Sequence, residues 1–229
     1  MKYDPKFKYY VLAGTEDLRR KFAVEQLYVH GVTQSRIVMV NFPNFQDVEK
    51  EPNFLELVKP LDSKQVSVTL KHYYAVEAIS NSPEDYGVIM EDGNLFKSCP
   101  DRAVEKYLAE APDDMDLIFD SDILNLKYSE GPIKKGKSIY KKSNLKDAFC
   151  DGSSRGANFI ILTRIAAARL RDIFLPIGSV SDMHYNHLIR TLNLNVYWAE
   201  PPNVHKIISF YSTVTTRPSG MKPIPWSPT

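Results

Sequence analysis

Two short acidic motifs sit where apolar runs end. Glu91-Asp92 closes Tyr86-Gly87-Val88-Ile89-Met90, and Asp120-Ser121-Asp122 closes the run from Asp116 to Phe119. Carboxylates packed at such ends repel each other and do not aid folding; they suit a divalent cation or a sugar hydroxyl. Mg2+ and Mn2+ prefer oxygen ligands and often bridge one or two carboxylates to a substrate diphosphate. The bland alternative is a strand-end turn, because Asp and Gly are common turn residues. His205 follows Pro201-Pro202-Asn203-Val204. A lone loop histidine is usually structural or solvated, but it can also complete an otherwise all-oxygen metal site.

Further along, Asp182 precedes His184 and His187. The His-x-x-His spacing can share one helix face, but no further zinc pattern accompanies it. Asp182 reads first as a helix N-cap, a role compatible with catalysis. Residues 130–148 carry Lys134, Lys135, Lys137, Lys141, Lys142 and Lys146. The favoured reading is a solvated loop; the functional one is a flap that meets phosphates. No Gly-x-Gly-x-x-Gly, Walker or Gly-x-Ser-x-Gly pattern occurs, which weighs against a dinucleotide dehydrogenase, a P-loop enzyme and an α/β-hydrolase. Cys99 and Cys150 have no metal-ligand spacing and fit a reducing compartment.

The elements that must position these residues alternate. Tyr9 to Leu12 reads as a strand and Ala13-Gly14-Thr15 as a turn with Thr15 as N-cap. Glu16 to His30 reads as a helix stopped by Gly31, and Arg36 to Val40 as a second strand. Strand–helix–strand implies a parallel sheet. A helix over Val66 to Ser80 puts Val68, Tyr73, Val76 and Ile79 inward. Pro100 opens another helix that runs to about Ala111. Phe159 to Leu162 is a strand, Thr163 caps a helix to about Phe174, Asp182 to Leu192 is a helix, and Val196-Tyr197-Trp198 a strand. Residues 43–66 show no readable pattern. The expectation is one α/β domain with a mostly parallel sheet over 1–216 and a Pro-rich tail over 217–229. Ligands of open α/β sheets bind beyond the carboxyl ends of the strands, where both acidic motifs fall.

The chain has 229 residues, 43% hydrophobic and 25% charged, as for an ordinary globular protein. Twenty-nine basic and 28 acidic residues leave a net charge of +1, which argues against a broad grip on nucleic acid or an anionic membrane. The N-terminus lacks a signal-peptide h-region, and no apolar run is long enough to span a bilayer. The expected location is cytoplasmic, with no transmembrane segment.

Five blocks in order resemble glycosyltransferase family 25, which includes lipooligosaccharide and collagen galactosyltransferases. They are Tyr10-Val11-Leu12 with Thr15 to Arg20; Leu70-Lys71-His72 with Ala75 and Ala78; Val88 to Asp92; Arg155 to Leu162 with Ala166, Ala167 and Leu170; and Asp182 through Pro202. Together they span about 10 to 205. The resemblance implies a GT-A fold and transfer of a sugar, with inversion, from a nucleoside diphosphate donor such as a UDP-sugar. The acceptor would be a hydroxyl on a glycan, a lipid-linked saccharide or a protein. It implies Mn2+ (or Mg2+) at the acidic motif, with Asp92 as ligand; the candidates beside it are His205, as a further ligand, and Asp120. Gly93 stands where the family usually has a further aspartate, and Lys71 where it has serine. Donor contacts would fall to Leu12, Ala13, Gly14, Thr15, Arg19, Arg20, His72, Glu91, Asp92 and Arg155. The general base would be Asp182, with Asp122 as second choice. Trp198 suits either a sugar-stacking role or, more often for a strand tryptophan, the core. Two other readings remain open: a sugar-nucleotide-binding module without catalysis, which Gly93 favours, and a metal-dependent hydrolase or nucleotidyltransferase using Asp120 and Asp122.

Overall fold

A computed structural model describes residues 6–50, 61–121, 133–142 and 156–206. Its strands are β1 (Phe7–Leu12), β2 (Ile37–Val40), β3 (Tyr86–Glu91), β4 (Asn94–Phe96), β5 (Leu117–Phe119), β6 (Ile139–Lys141), β7 (Phe159–Thr163), β8 (Val196–Ala199) and β9 (Val204–Lys206). The helices are α1 (Asp17–Val29), α2 (Phe45–Lys50), α3 (Ser63–Ser80), α4 (Pro100–Glu110), α5 (Arg164–Ile173) and α6 (Ser181–Leu192). Seven strands form one sheet in the order β2-β1-β3-β7-β5-β8-β6, and β4 pairs with β9 in a second, two-stranded sheet. In the large sheet β1, β2, β3, β5 and β8 point one way, while β7 and β6 run against them. The fold is α/β with a mostly parallel mixed sheet.

Both faces of the sheet are covered, so its strands are apolar on both sides. Alternation splits each strand cleanly. Tyr10, Leu12, Ile89, Ile160 and Phe119 face α3, α5 and α6. Tyr9, Val11, Val88, Ile161 and Ile118 face α1 and α4. Trp198 is buried within the first of these cores, so it packs rather than stacks on a ligand.

Local chemistry fixes the helix ends. Asp62 and Gln65 form a reciprocal capping box at the start of α3, and the Thr163 hydroxyl accepts the Ala166 N–H at α5. Pro100 opens α4 at a position whose N–H needs no partner. The chain leaves α1 through Gly31, whose φ of 85° suits glycine. Helix α3 lies so close to β3 that a Cβ on Gly87 would stand 2.4 Å from the Ile79 side chain.

Several expectations change. Thr15 is exposed and does not cap α1; Glu16 holds the cap position with no side-chain bond. Val68 faces solvent, because the buried stripe of α3 runs through Val66, Leu70, Ala75, Val76 and Ile79, with Tyr73 only partly buried. Part of the Lys-rich stretch is not loop but edge strand β6, anchored by the fully buried Tyr140. Asp182 lies inside α6, whose cap position is Val180. His184 is buried with its Nε2 2.7 Å from the Phe174 carbonyl, whereas His187 is exposed, so the pair shares no ligand face. The proline-rich tail, 217–229, lies outside the described residues. No described helix is long and apolar enough to cross a membrane.

Candidate functional site

Strands β1 and β3 lie side by side in parallel register, with Leu12 opposite Glu91. Their carboxyl ends therefore release Ala13-Gly14 and Asp92-Gly93 at the same place. The Asp92 N–H donates to the Leu12 carbonyl at 3.2 Å, which extends the ladder by one residue. The buried Asp92 carboxylate then has both oxygens engaged. Oδ2 accepts the Gly14 N–H at 2.9 Å, and Oδ1 pairs with Arg19 Nη2 at 2.7 Å. Burial pushes the Asp92 pKa up, against the Gly14 N–H and the Arg19 charge. Arg19 reaches it because the turn after β1 folds the first turn of α1 back over the strand ends.

Lys71 comes from α3 on the other side. Its Nζ donates to the Ala13 carbonyl at 2.6 Å and to Asn44 Oδ1 at 3.3 Å. Burial pushes its pKa down to about 8, against the pull of Asp92 and Asp47. Glu91 next door meets Lys206 Nζ at 3.2 Å, and His72 Nε2 stands 3.6 Å from its other oxygen. Burial alone would raise the Glu91 pKa; Lys206 and His72 outweigh it and hold the group down at about 2. His72 is fully buried, edge-on to Tyr185 with ring centroids 5.4 Å apart. Its ring nitrogens, like the Tyr185 hydroxyl, have no hydrogen-bond partner among the described residues.

A buried polar network ties neighbouring strand ends together. Asn94 and Asn158 exchange hydrogen bonds, and Ser121 Oγ donates to Asn158 Oδ1 at 2.8 Å. Asp120 is fully buried beside it. One Asp120 oxygen accepts the N–H groups of Asn203 at 2.8 Å and Val204 at 3.2 Å. Burial pushes its pKa up to about 6, against those two N–H groups and the Tyr107 hydroxyl. Asp120 therefore anchors the loop that leads into β9.

The remaining expected residues divide. Leu12 and Ala13 are buried and present their backbone, while Thr15 is exposed. Arg20 pairs with Asp17 on the outer side of α1. Asp182 accepts the Gly156 N–H at 3.2 Å and the Met183 N–H at 2.8 Å, within electrostatic reach of Lys206. His205 pairs with Leu95 across β4 and β9, and strand alternation turns it from the side on which Lys206 meets Glu91. Asp122 and Arg155 lie outside the described residues. Sequence reasoning missed Lys206 altogether and saw in Lys71 only a departure from a family pattern.

A cleft of about 330 Å³ opens at this end of the sheet, lined by Leu18, Arg19, Lys21, Phe22, Glu25, Asp92 and Gly93. A larger hollow of about 530 Å³ lies at the opposite end of β1 and β3, around Lys8, Arg36 and Glu84. It holds none of the strand-end groups. Among the described residues no group of three or more His, Cys, Asp or Glu is arranged to hold a metal. A divalent ion on Asp92 would meet a carboxylate whose Oδ1 Arg19 already holds and whose Oδ2 accepts the Gly14 N–H.

No family model and no curated protein sequence matches this chain. Similar solved structures include A197 from STIV, at 13% identity over 84% of this chain and 80% of that one, with a TM-score of 0.45. Another is mannose-1-phosphate geranyltransferase from Thermus thermophilus, at 11% identity over 85% of this chain and 74% of that one, with a TM-score of 0.46. Neither reaches a TM-score of 0.5, and the site is read from its own residues.

Proposed function

We propose that this chain is a glycosyltransferase of the family 25 kind, moving a sugar with inversion from a nucleoside diphosphate sugar, a UDP-sugar first, to an acceptor hydroxyl. The observation that carries the reading is the meeting of Glu91 and Asp92 with Gly14, Arg19, Lys71 and Lys206 at the carboxyl ends of β1 and β3. Open α/β sheets bind ligands there. Backbone groups and cations suit a diphosphate, and buried carboxylates suit sugar hydroxyls.

In this reading the turn from Leu12 to Thr15 borders the nucleoside. Arg19 and Lys206 take up charge as the diphosphate leaves, which is where fixed cations lower a barrier most. Glu91, ionised because Lys206 holds it so, accepts hydrogen bonds from donor hydroxyls. The general base must stand opposite the leaving group, within hydrogen-bond reach of the acceptor. Asp182 is assigned that role, since it stands within electrostatic reach of Lys206 and its oxygens accept the Gly156 and Met183 N–H groups. The Mn2+ or Mg2+ expected from the resemblance would enter at Asp92, whose Oδ1 Arg19 already holds. The acceptor is a glycan, a lipid-linked saccharide or a protein.

A thermal-shift and calorimetry panel of UDP-, GDP- and CMP-sugars on wild type and Asp92→Ala tests this. One nucleotide-sugar should raise the melting temperature of the wild type, with at least tenfold weaker binding to the variant. Binding with no turnover against any acceptor supports the non-catalytic module instead. Binding of a sugar 1-phosphate with a nucleoside triphosphate, and of no finished nucleotide-sugar, contradicts the proposal.

A further inference from the structure

We infer that Arg19 is a built-in cation of the diphosphate seat, standing in for a divalent metal, so that this chain holds its donor without Mn2+ or Mg2+; the inference rests on the nucleotide-sugar reading above. Three observations carry it. First, Asp92 is spent within the protein: Arg19 takes one oxygen at 2.7 Å and the Gly14 N–H takes the other at 2.9 Å. Second, Gly93 leaves room for that arrangement. A Cβ at position 93 would stand 2.9 Å from Arg19 Nη2, closer than real Cβ atoms come to a neighbour. A side chain at 93 requires the guanidinium to shift from its present seat.

Third, the guanidinium is not spent in return. It borders the cleft of about 330 Å³ beside Asp92 and Gly93, and its buried Nε has no acceptor among the described residues. Lys206, held charged chiefly by Glu91, stands within electrostatic reach of Arg19. A guanidinium presents a planar fork of donors that matches phosphate oxygens, and it stays charged at any working pH. Asp92, in this account, is a positioning residue that holds Arg19 at the rim of the cleft.

The test uses UDP and Mn2+ as probes. UDP is titrated calorimetrically into wild type, Arg19→Ala, Gly93→Ala and the double variant Arg19→Ala/Gly93→Asp, each in EDTA and in Mn2+. Binding of Mn2+ alone is followed by electron paramagnetic resonance. Wild type should bind UDP with the same Kd, within twofold, in both buffers, and should bind no Mn2+ tighter than millimolar. Arg19→Ala should lose at least tenfold in UDP affinity in EDTA. Gly93→Ala, which keeps Arg19 and Asp92 but pushes them apart, should lose affinity too, with a melting temperature close to wild type. The double variant should bind UDP better in Mn2+ than in EDTA. A wild type that loses tenfold or more in EDTA overturns the inference and leaves the proposed function standing, as does an Arg19→Ala variant that binds UDP normally. If UDP, GDP and CMP all fail to bind in either buffer, the proposed function falls and this inference with it.

Discussion

Glu91 stays ionised in a buried setting because Lys206 Nζ lies 3.2 Å away, and its pKa rests at about 2. A carboxyl depressed below its unfolded value stabilises the fold above the unfolded pKa. That contribution is lost as pH falls from about 4.5 towards 2. Glu91→Gln should therefore shrink the stability difference between pH 7 and pH 3 by on the order of 2 kcal/mol, read from urea unfolding at the two pH values. An unchanged difference would mean that the Lys206 contact does not hold the charge in solution. Lys71 tests the other side of the site. Its amine titrates at about 8, so nucleotide affinity in the wild type should fall as pH rises through that value. Lys71→Met should bind nucleotide more weakly and show no fall there. Its stability should stay within about 1 kcal/mol of wild type, because the hydrogen bond to Ala13 and the desolvation cost of a buried ammonium disappear together.

At the scale of elements, the contact between α3 and β3 sets where Lys71 and His72 stand relative to Glu91. Gly87 permits it. Gly87→Ala should cost roughly 1–3 kcal/mol, because Ile79 is fully buried and cannot swing away. In a double-mutant cycle, Ile79→Ala should recover part of that cost; strict additivity would show that the two do not touch. The same elements show what could be read in advance. The strands that end in Glu91 and in Phe119 before Asp120 were legible because each is an apolar run cut off by carboxylates. The caps of α3 and α5 are of two kinds: Thr163 was readable, and Asp62 fell in a stretch with no visible pattern. Lys206 was not legible. It belongs to a three-residue strand, too short to carry a period, and it meets Glu91 only because β9 pairs with β4. Strand β6 was hidden for a related reason: its lysines pointed to a loop, while the buried Ile139 and Tyr140 anchor it.

Over the whole molecule two buried carboxylates pull in opposite directions. Asp120 has its pKa raised to about 6 by burial, so the folded state holds a proton there that the unfolded chain has already lost. Stability from this group falls as pH rises from about 4 to about 6, the reverse of Glu91. Asp120→Asn keeps an oxygen for the Asn203 and Val204 N–H groups and should abolish that fall, with a gain of roughly 1–3 kcal/mol at pH 7. In the proposed function a nucleotide-sugar lies across the carboxyl ends of β1 and β3. Hydrogen–deuterium exchange with and without a UDP-sugar tests it most directly. Exchange should slow in the segments from Leu12 to Arg19 and from Glu91 to Gly93, with no change around Lys8, Arg36 and Glu84. Protection confined to that opposite hollow, or no protection from any nucleotide-sugar, would contradict it.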